Sequence, residues 1–120
     1  VTTPQPAAQR VAQRVAFMAE KVNLELKGVI ENMSWFSGDD GTRYEIFGAG
    51  GGAELAERLD VPLLGQVPLE LPVREGGDAG RPAVVADPDG DAAKVFTAMA
   101  QRIAVELAPT RRSHKELKLL

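Results

Sequence analysis

The 120-residue sequence contains no cysteine. That absence excludes disulfide frameworks, cysteine nucleophiles and the thiolate ligands that hold zinc and iron–sulfur centres. Histidine occurs once, at His114 in the C-terminal tail, a poor place from which to build a Ser/His/Asp constellation. The longest apolar runs are a few residues, far short of a signal-peptide core or a bilayer span. The expectation is therefore a cytoplasmic chain without a membrane segment. The pattern G-x-x-x-x-G-K-[ST] is also missing, so the chain carries no phosphate loop of its own. No catalytic and no metal-ligating residue is assigned.

What is present is ordinary for a globular protein, with 44% hydrophobic and 26% charged residues. A chain of this length can bury roughly two-thirds of the surface it exposes when unfolded. The net charge of −3 is unevenly spread. Residues 1–108 carry 10 Lys/Arg against 16 Asp/Glu, whereas 109–120 carry 4 against 1. An acidic body argues against nucleic-acid binding. The segment 109–120, with Arg111, Arg112, Lys115 and Lys118, reads as a flexible, solvated basic tail, and Lys115 to Leu120 is too short to anchor a membrane alone.

Val1-Thr2-Thr3-Pro4 reads as the end of a strand running into a helix, so the chain is expected to begin within a fold. From Pro6, apolar residues at Ala8, Val11, Ala12, Val15, Ala19 and Val22 recur at helical spacing. Lys27 to Met33 reads as a strand, and a right-handed crossover would lay it parallel to the Val1 strand. Ser34 to Phe47 is an excursion with a turn at Gly38-Asp39-Asp40-Gly41 and a return strand over Arg43 to Phe47. A short helix over Ala53 to Leu59 and a strand over Val61 to Val67 follow. Leu69 to Pro88 is rich in Pro and Gly, with one helical turn expected near Val73 and Arg74. A last helix is expected to be capped by Asp89 or Asp91, to bury Ala92, Val95, Phe96, Met99, Ile103 and Leu107, and to end at Pro109. Alternating strands and helices indicate an α/β doubly wound domain, but about three strands are too few for a finished sheet, so the 120 residues are expected to be part of a larger domain.

Gly48-Ala49-Gly50-Gly51-Gly52-Ala53 fits the dinucleotide pattern G-x-G-x-x-A, yet no clear βαβ opening precedes it and no acidic ribose ligand follows. A glycine lead-in to a helix is the better reading. Asp87-Pro88-Asp89-Gly90-Asp91 resembles the start of a calcium loop but has Ala92 and Ala98 where such a loop needs Gly and Glu, so a turn and helix start is preferred. Asp39 and Asp40 read as turn residues. Asn32 closes a central strand at the end where open α/β sheets bind ligands, and its amide matches the donor and acceptor edge of adenine. Taken alone, an asparagine that closes a strand is more often a turn residue. Pro68 closes the next strand and can offer a flat apolar surface to the same base.

Five ordered segments carry a resemblance: Val1 to Gln5, Gly28 to Phe36, Phe47 to Gly52, Pro62 to Leu69 and Arg74 to Pro82. Together they resemble the C-terminal part of the Mrp/ApbC family of P-loop ATPases, a family implicated in iron–sulfur cluster assembly and transfer and related to MinD. The resemblance runs from Val1 to about Leu107. It implies a partial doubly wound, mainly parallel sheet of the P-loop NTPase type lacking its N-terminal half, over residues 1–108. It implies ATP with Mg²⁺ in the full-length protein, a homodimer, and cluster scaffold or recipient proteins as partners. It places nucleotide-binding residues at Asn32, Pro68 and Leu69. Many members carry C-x-x-C after the aromatic pair matched by Trp35-Phe36, where this chain has Ser37-Gly38-Asp39-Asp40-Gly41. Carboxylates are poor substitutes for thiolates on an iron–sulfur cluster. Two alternatives are a non-catalytic α/β interaction module derived from such an ATPase, and a MinD-like positioning ATPase.

Overall fold

In the computed structural model, residues 1–107 are described. Pro6–Lys21 forms α1, with proline at its first position, where the missing N–H is no loss. Val29–Asn32 forms β1, and the small antiparallel pair β2 (Phe36–Ser37) and β3 (Arg43–Tyr44) makes the excursion. Gly51–Arg58 forms α2 and Leu63–Val67 forms β4. Three helices follow: α3 (Leu71–Asp78), α4 (Ala83–Ala86) and α5 (Asp91–Glu106). The basic tail lies outside the described residues.

β1 and β4 are parallel, with Ile30 opposite Gly65, Glu31 opposite Gln66 and Asn32 opposite Val67. Thr2 adds a parallel bridge to Glu31 on the other edge of β1, its N–H donating to the Ile30 carbonyl at 2.9 Å while its own carbonyl accepts from Asn32 N–H at 2.8 Å. β1 is therefore the middle of three parallel segments, as expected from the sequence. Strand alternation sorts the two faces. Val29 and Glu31 face α2, where Val29, Leu55 and Ala56 form a buried cluster. Gly65 faces α5, where a Cβ would sit 2.6 Å from Met99 Cγ, so glycine lets the helix lie close to the strand. Arg102 Nη1 also donates to the Leu63 carbonyl at 2.8 Å, tying α5 to β4.

Several expectations are corrected. The Leu69 to Pro88 stretch holds two helices, α3 and α4, rather than one turn; Pro72 is tolerated because it falls in the first turn of α3. The return strand stops at Tyr44. The first helix is amphipathic as expected, and much of its apolar stripe lies at the surface, Val11, Val15 and the C-cap Val22 being 55–63% exposed, because little besides α2 packs against it among the described residues. On α5, Ala92 and Met99 are buried as expected, but Phe96 and Ile103 are exposed.

The start of α5 also differs. Gly90 is its N-cap, and neither Asp89 nor Asp91 makes a side-chain cap. Glu70, just before α3, faces this helix start. Its carboxyl is pushed above the ordinary range, chiefly by burial, then by the Asp91 charge, partly offset by the Ala92 N–H, with Asp87 adding a further push upward. A carboxyl raised on folding favours the native state below its unfolded pKa and loses that contribution as pH rises through its folded value. Glu70→Gln is accordingly expected to raise Tm at about pH 7 and to change it little at about pH 4. Thermal melts at both pH values check this, and a larger loss of Tm at the higher pH would contradict it.

Candidate functional site

The carboxyl ends of β1 and β4 lie side by side, and the chain keeps them paired beyond the sheet. Ser34 N–H donates to the Val67 carbonyl at 3.0 Å, and Leu69 N–H donates to the Trp35 carbonyl at 2.7 Å. Asn32, Pro68 and Leu69 are thus brought to one edge, which is where open parallel sheets receive ligands. Asn32 and Leu69 are half-buried, whereas Pro68 is buried and leaves Leu69 as the accessible apolar group.

Asn32 Oδ1 accepts from Met33 N–H at 2.9 Å. Because the amide oxygen has two lone pairs and the amide nitrogen two hydrogens, this local bond leaves capacity to face a base. Met33 follows at φ 57°, in the left-handed region, a conformation uncommon for a residue other than glycine, asparagine or aspartate. Ser34 Oγ closes the turn by donating to the Glu31 carbonyl at 3.2 Å.

The glycine run does something different from cradling phosphate. Gly50, at φ 79°, is the N-cap of α2, and Gly52 N–H donates to the carboxylate of Glu31. Gln66 Nε2 donates to the other oxygen of Glu31 at 2.8 Å. Glu31 is only 1% exposed, so the α2 N-terminus is engaged by a carboxylate of the chain itself. Sequence reasoning missed Glu31. The available signal was an acidic residue inside the apolar run Val29 to Met33, followed by a glycine run able to bring backbone N–H groups close.

In the excursion, Asp40 is a turn residue. Its carboxylate accepts from Thr42 N–H at 2.9 Å and from Thr42 Oγ1 at 2.8 Å. These bonds, the backbone one first, hold its carboxyl below the ordinary range. The Arg43 guanidinium stacks 4.4 Å from the centroid of the Trp35 ring. With no thiolate in the sequence and the Asp40 oxygens engaged by Thr42, the excursion does not fit an iron–sulfur cluster. Among the described residues no three His, Asp or Glu side chains gather as a metal site.

An apolar groove of about 740 Å³ lies elsewhere, between α3, α4 and α5, with Val73, Pro82, Val84, Phe96 and Ala100 in its walls. It shares no residue with Asn32, Pro68 or Leu69. No helix among the described residues is long and apolar enough to cross a membrane.

The parallel sheet with helices on both faces is part of a P-loop NTPase fold of the MinD kind. The cell division ATPase MinD of Pyrococcus furiosus matches with a TM-score of 0.70 at 29% identity, over 90% of this chain and 41% of that one. The septum site-determining protein MinD of Pyrococcus horikoshii, solved in complex with Mg-ADP, matches with a TM-score of 0.68 at 27% identity, over 89% and 40% of the two chains. Residues 1–104 match the ParA family model described as the NUBPL iron-transfer P-loop NTPase, and the chain belongs to that family. An iron-sulfur cluster carrier protein of Synechocystis is 45% identical over 106 residues, covering 87% of this chain and 30% of that protein. The protein of the same description from Escherichia coli K12 is 39% identical over 108 residues, covering 89% and 29%. The chain therefore spans about 30% of the length of these curated relatives.

Proposed function

We propose that this segment forms the adenine-side wall of the ATP site in an iron–sulfur cluster carrier of the Mrp type. The observation that carries the reading is the convergence of Asn32 with Pro68 and Leu69 at the carboxyl ends of two adjacent parallel strands. Asn32 faces the donor and acceptor edge of adenine, and Leu69, backed by the buried Pro68, packs against the ring. These residues fit a base. They offer no group suited to Mg²⁺ or the phosphates. When bound, Mg²⁺ would neutralise charge on the ATP phosphates during hydrolysis, and the chain's own part is to orient the nucleotide through its base.

In this reading the full-length protein is a cytoplasmic ATPase that works as a homodimer and exchanges clusters with scaffold and recipient proteins. Family membership supports cluster transfer as the process, and the cluster is cargo. Since this chain contributes no cysteine, thiolate ligands to that cargo come from outside it.

Asn32→Ala in the full-length protein is expected to weaken ATP binding by about 10- to 100-fold, the worth of one good bidentate contact to a base. Equilibrium titration with ATP measures it. An unchanged affinity would remove Asn32 from the site.

A further inference from the structure

We infer that Glu31 is a positioning residue for Asn32, acting through its clamp on the first turn of α2; the inference rests on the nucleotide-wall reading above. Parallel strands buried on both faces are normally apolar throughout, and a carboxylate is an unusual occupant of such a position. Here both its oxygens are used, one by Gly52 N–H and one by Gln66 Nε2. Its backbone carbonyl takes the Ser34 hydroxyl, and the residue lies opposite both Thr2 and Gln66. Three separate segments, at Thr2, Gly52 and Gln66, thus meet on one residue, immediately before Asn32.

The clamp also closes a loop. The excursion lies between β1 and α2, and the bond from Gly52 N–H to the Glu31 carboxylate ties the strand before it to the helix after it. Directly after Asn32 the chain adopts the left-handed conformation at Met33. Such a conformation persists in a residue other than glycine when its surroundings over-determine it. At this turn the direct contacts are the Met33 N–H bond to Asn32 Oδ1, the Ser34 N–H bond to the Val67 carbonyl and the Ser34 hydroxyl bond to the Glu31 carbonyl, and the Glu31 clamp holds the strand end from which they start. Without the clamp the base of the excursion opens, Met33 relaxes towards negative φ, and the Asn32 amide turns away from the position where it meets a base.

A role confined to folding would not distinguish one ligand from another, whereas a role through Asn32 acts on the base alone. The test compares ATP with inorganic triphosphate, a probe lacking the base, as ligands of the full-length protein. Glu31→Leu, which removes both bonds, is expected to weaken ATP by about tenfold and to leave inorganic triphosphate unchanged. Glu31→Gln is expected to restore most of the affinity, because the amide can accept from Gly52 while Gln66 turns its own amide to accept in return. Gln66→Leu alters an exposed strand position, serves where Glu31→Leu fails to fold, and is expected to weaken ATP by about threefold. In an Asn32→Ala background neither loss should appear, since the residue being positioned is gone. Equal weakening of both ligands, or a loss that adds in full to that of Asn32→Ala, overturns the inference. So does an unchanged ATP affinity in Gln66→Leu and Glu31→Leu when Asn32→Ala is weakened, and in that case the nucleotide-wall reading stands. An Asn32→Ala variant that binds ATP normally overturns both.

Discussion

Gly51→Ala is expected to destabilise the fold by about 3 kcal/mol, at the upper end of the range for forcing an extra carbon into packed surroundings. A Cβ at this position would run into the Pro4 carbonyl and Gln9 Nε2. The Gln9 side chain can swing aside only by giving up its bond to Pro4, in which Nε2 donates to that same carbonyl at 3.0 Å. The Pro4 carbonyl cannot retreat cheaply, because two residues earlier Thr2 is hydrogen-bonded to β1 through both its N–H and its carbonyl. The alternative is for α2 to move, which pulls Gly52 away from Glu31. Gly77→Ala is the matched control. It lies in α3, and a Cβ there would meet nothing within 4 Å, so the same change is expected to stabilise by about 0.5 to 1 kcal/mol. Urea denaturation of the two variants checks both signs. Equal effects at the two positions would show that helix propensity, and not the close approach at α2, governs Gly51.

Leu55→Ala is expected to cost about 3 kcal/mol, within the range seen when buried leucines are truncated. Leu55 is 1% exposed and sits at the centre of the cluster with Val29 and Ala56. Ala12, Leu59, Val61 and Leu63 pack around it, which joins α1, α2 and the sheet. The void would be lined by side chains from several different elements, so no single one can move in to fill it. Denaturation midpoints in urea measure the loss. A cost below about 1 kcal/mol would mean that the site collapses on truncation, as loosely packed sites do. Leu59, partly exposed just past the end of the same helix, provides the comparison, and its truncation is expected to cost less.

The legible parts of this protein follow from local patterns. The 3.6-residue spacing from Ala8 to Val22 located α1, and the β-branched run at Val29 located β1 with its parallel partner. Asn32 and Pro68 stand out by their places at strand ends, and the sheet register sets them together. The Pro- and Gly-rich stretch after Leu69 carries little local pattern. Its two short helices are held by the packing of α3, α4 and α5 against one another, and local propensity alone gives little sign of them. The spacing from Ala8 to Val22 specifies an apolar stripe on α1. That it remains exposed depends on what else is present to cover it, which periodicity does not encode.

Glu31 marks the same boundary more sharply. By itself the sequence determined an α/β chain with parallel strands, a strand-end asparagine, a glycine lead-in to a helix and, through its lack of cysteine, no thiolate for a cluster. These depend on residue identity and near neighbours. Only the tertiary structure decided what the glycines are for, because Gly52 lies 21 residues beyond Glu31 and Gln66 lies 35 beyond it. A carboxylate within an apolar strand is a liability until the fold supplies donors from distant segments, and those donors converge only once α2 and β4 have packed against β1.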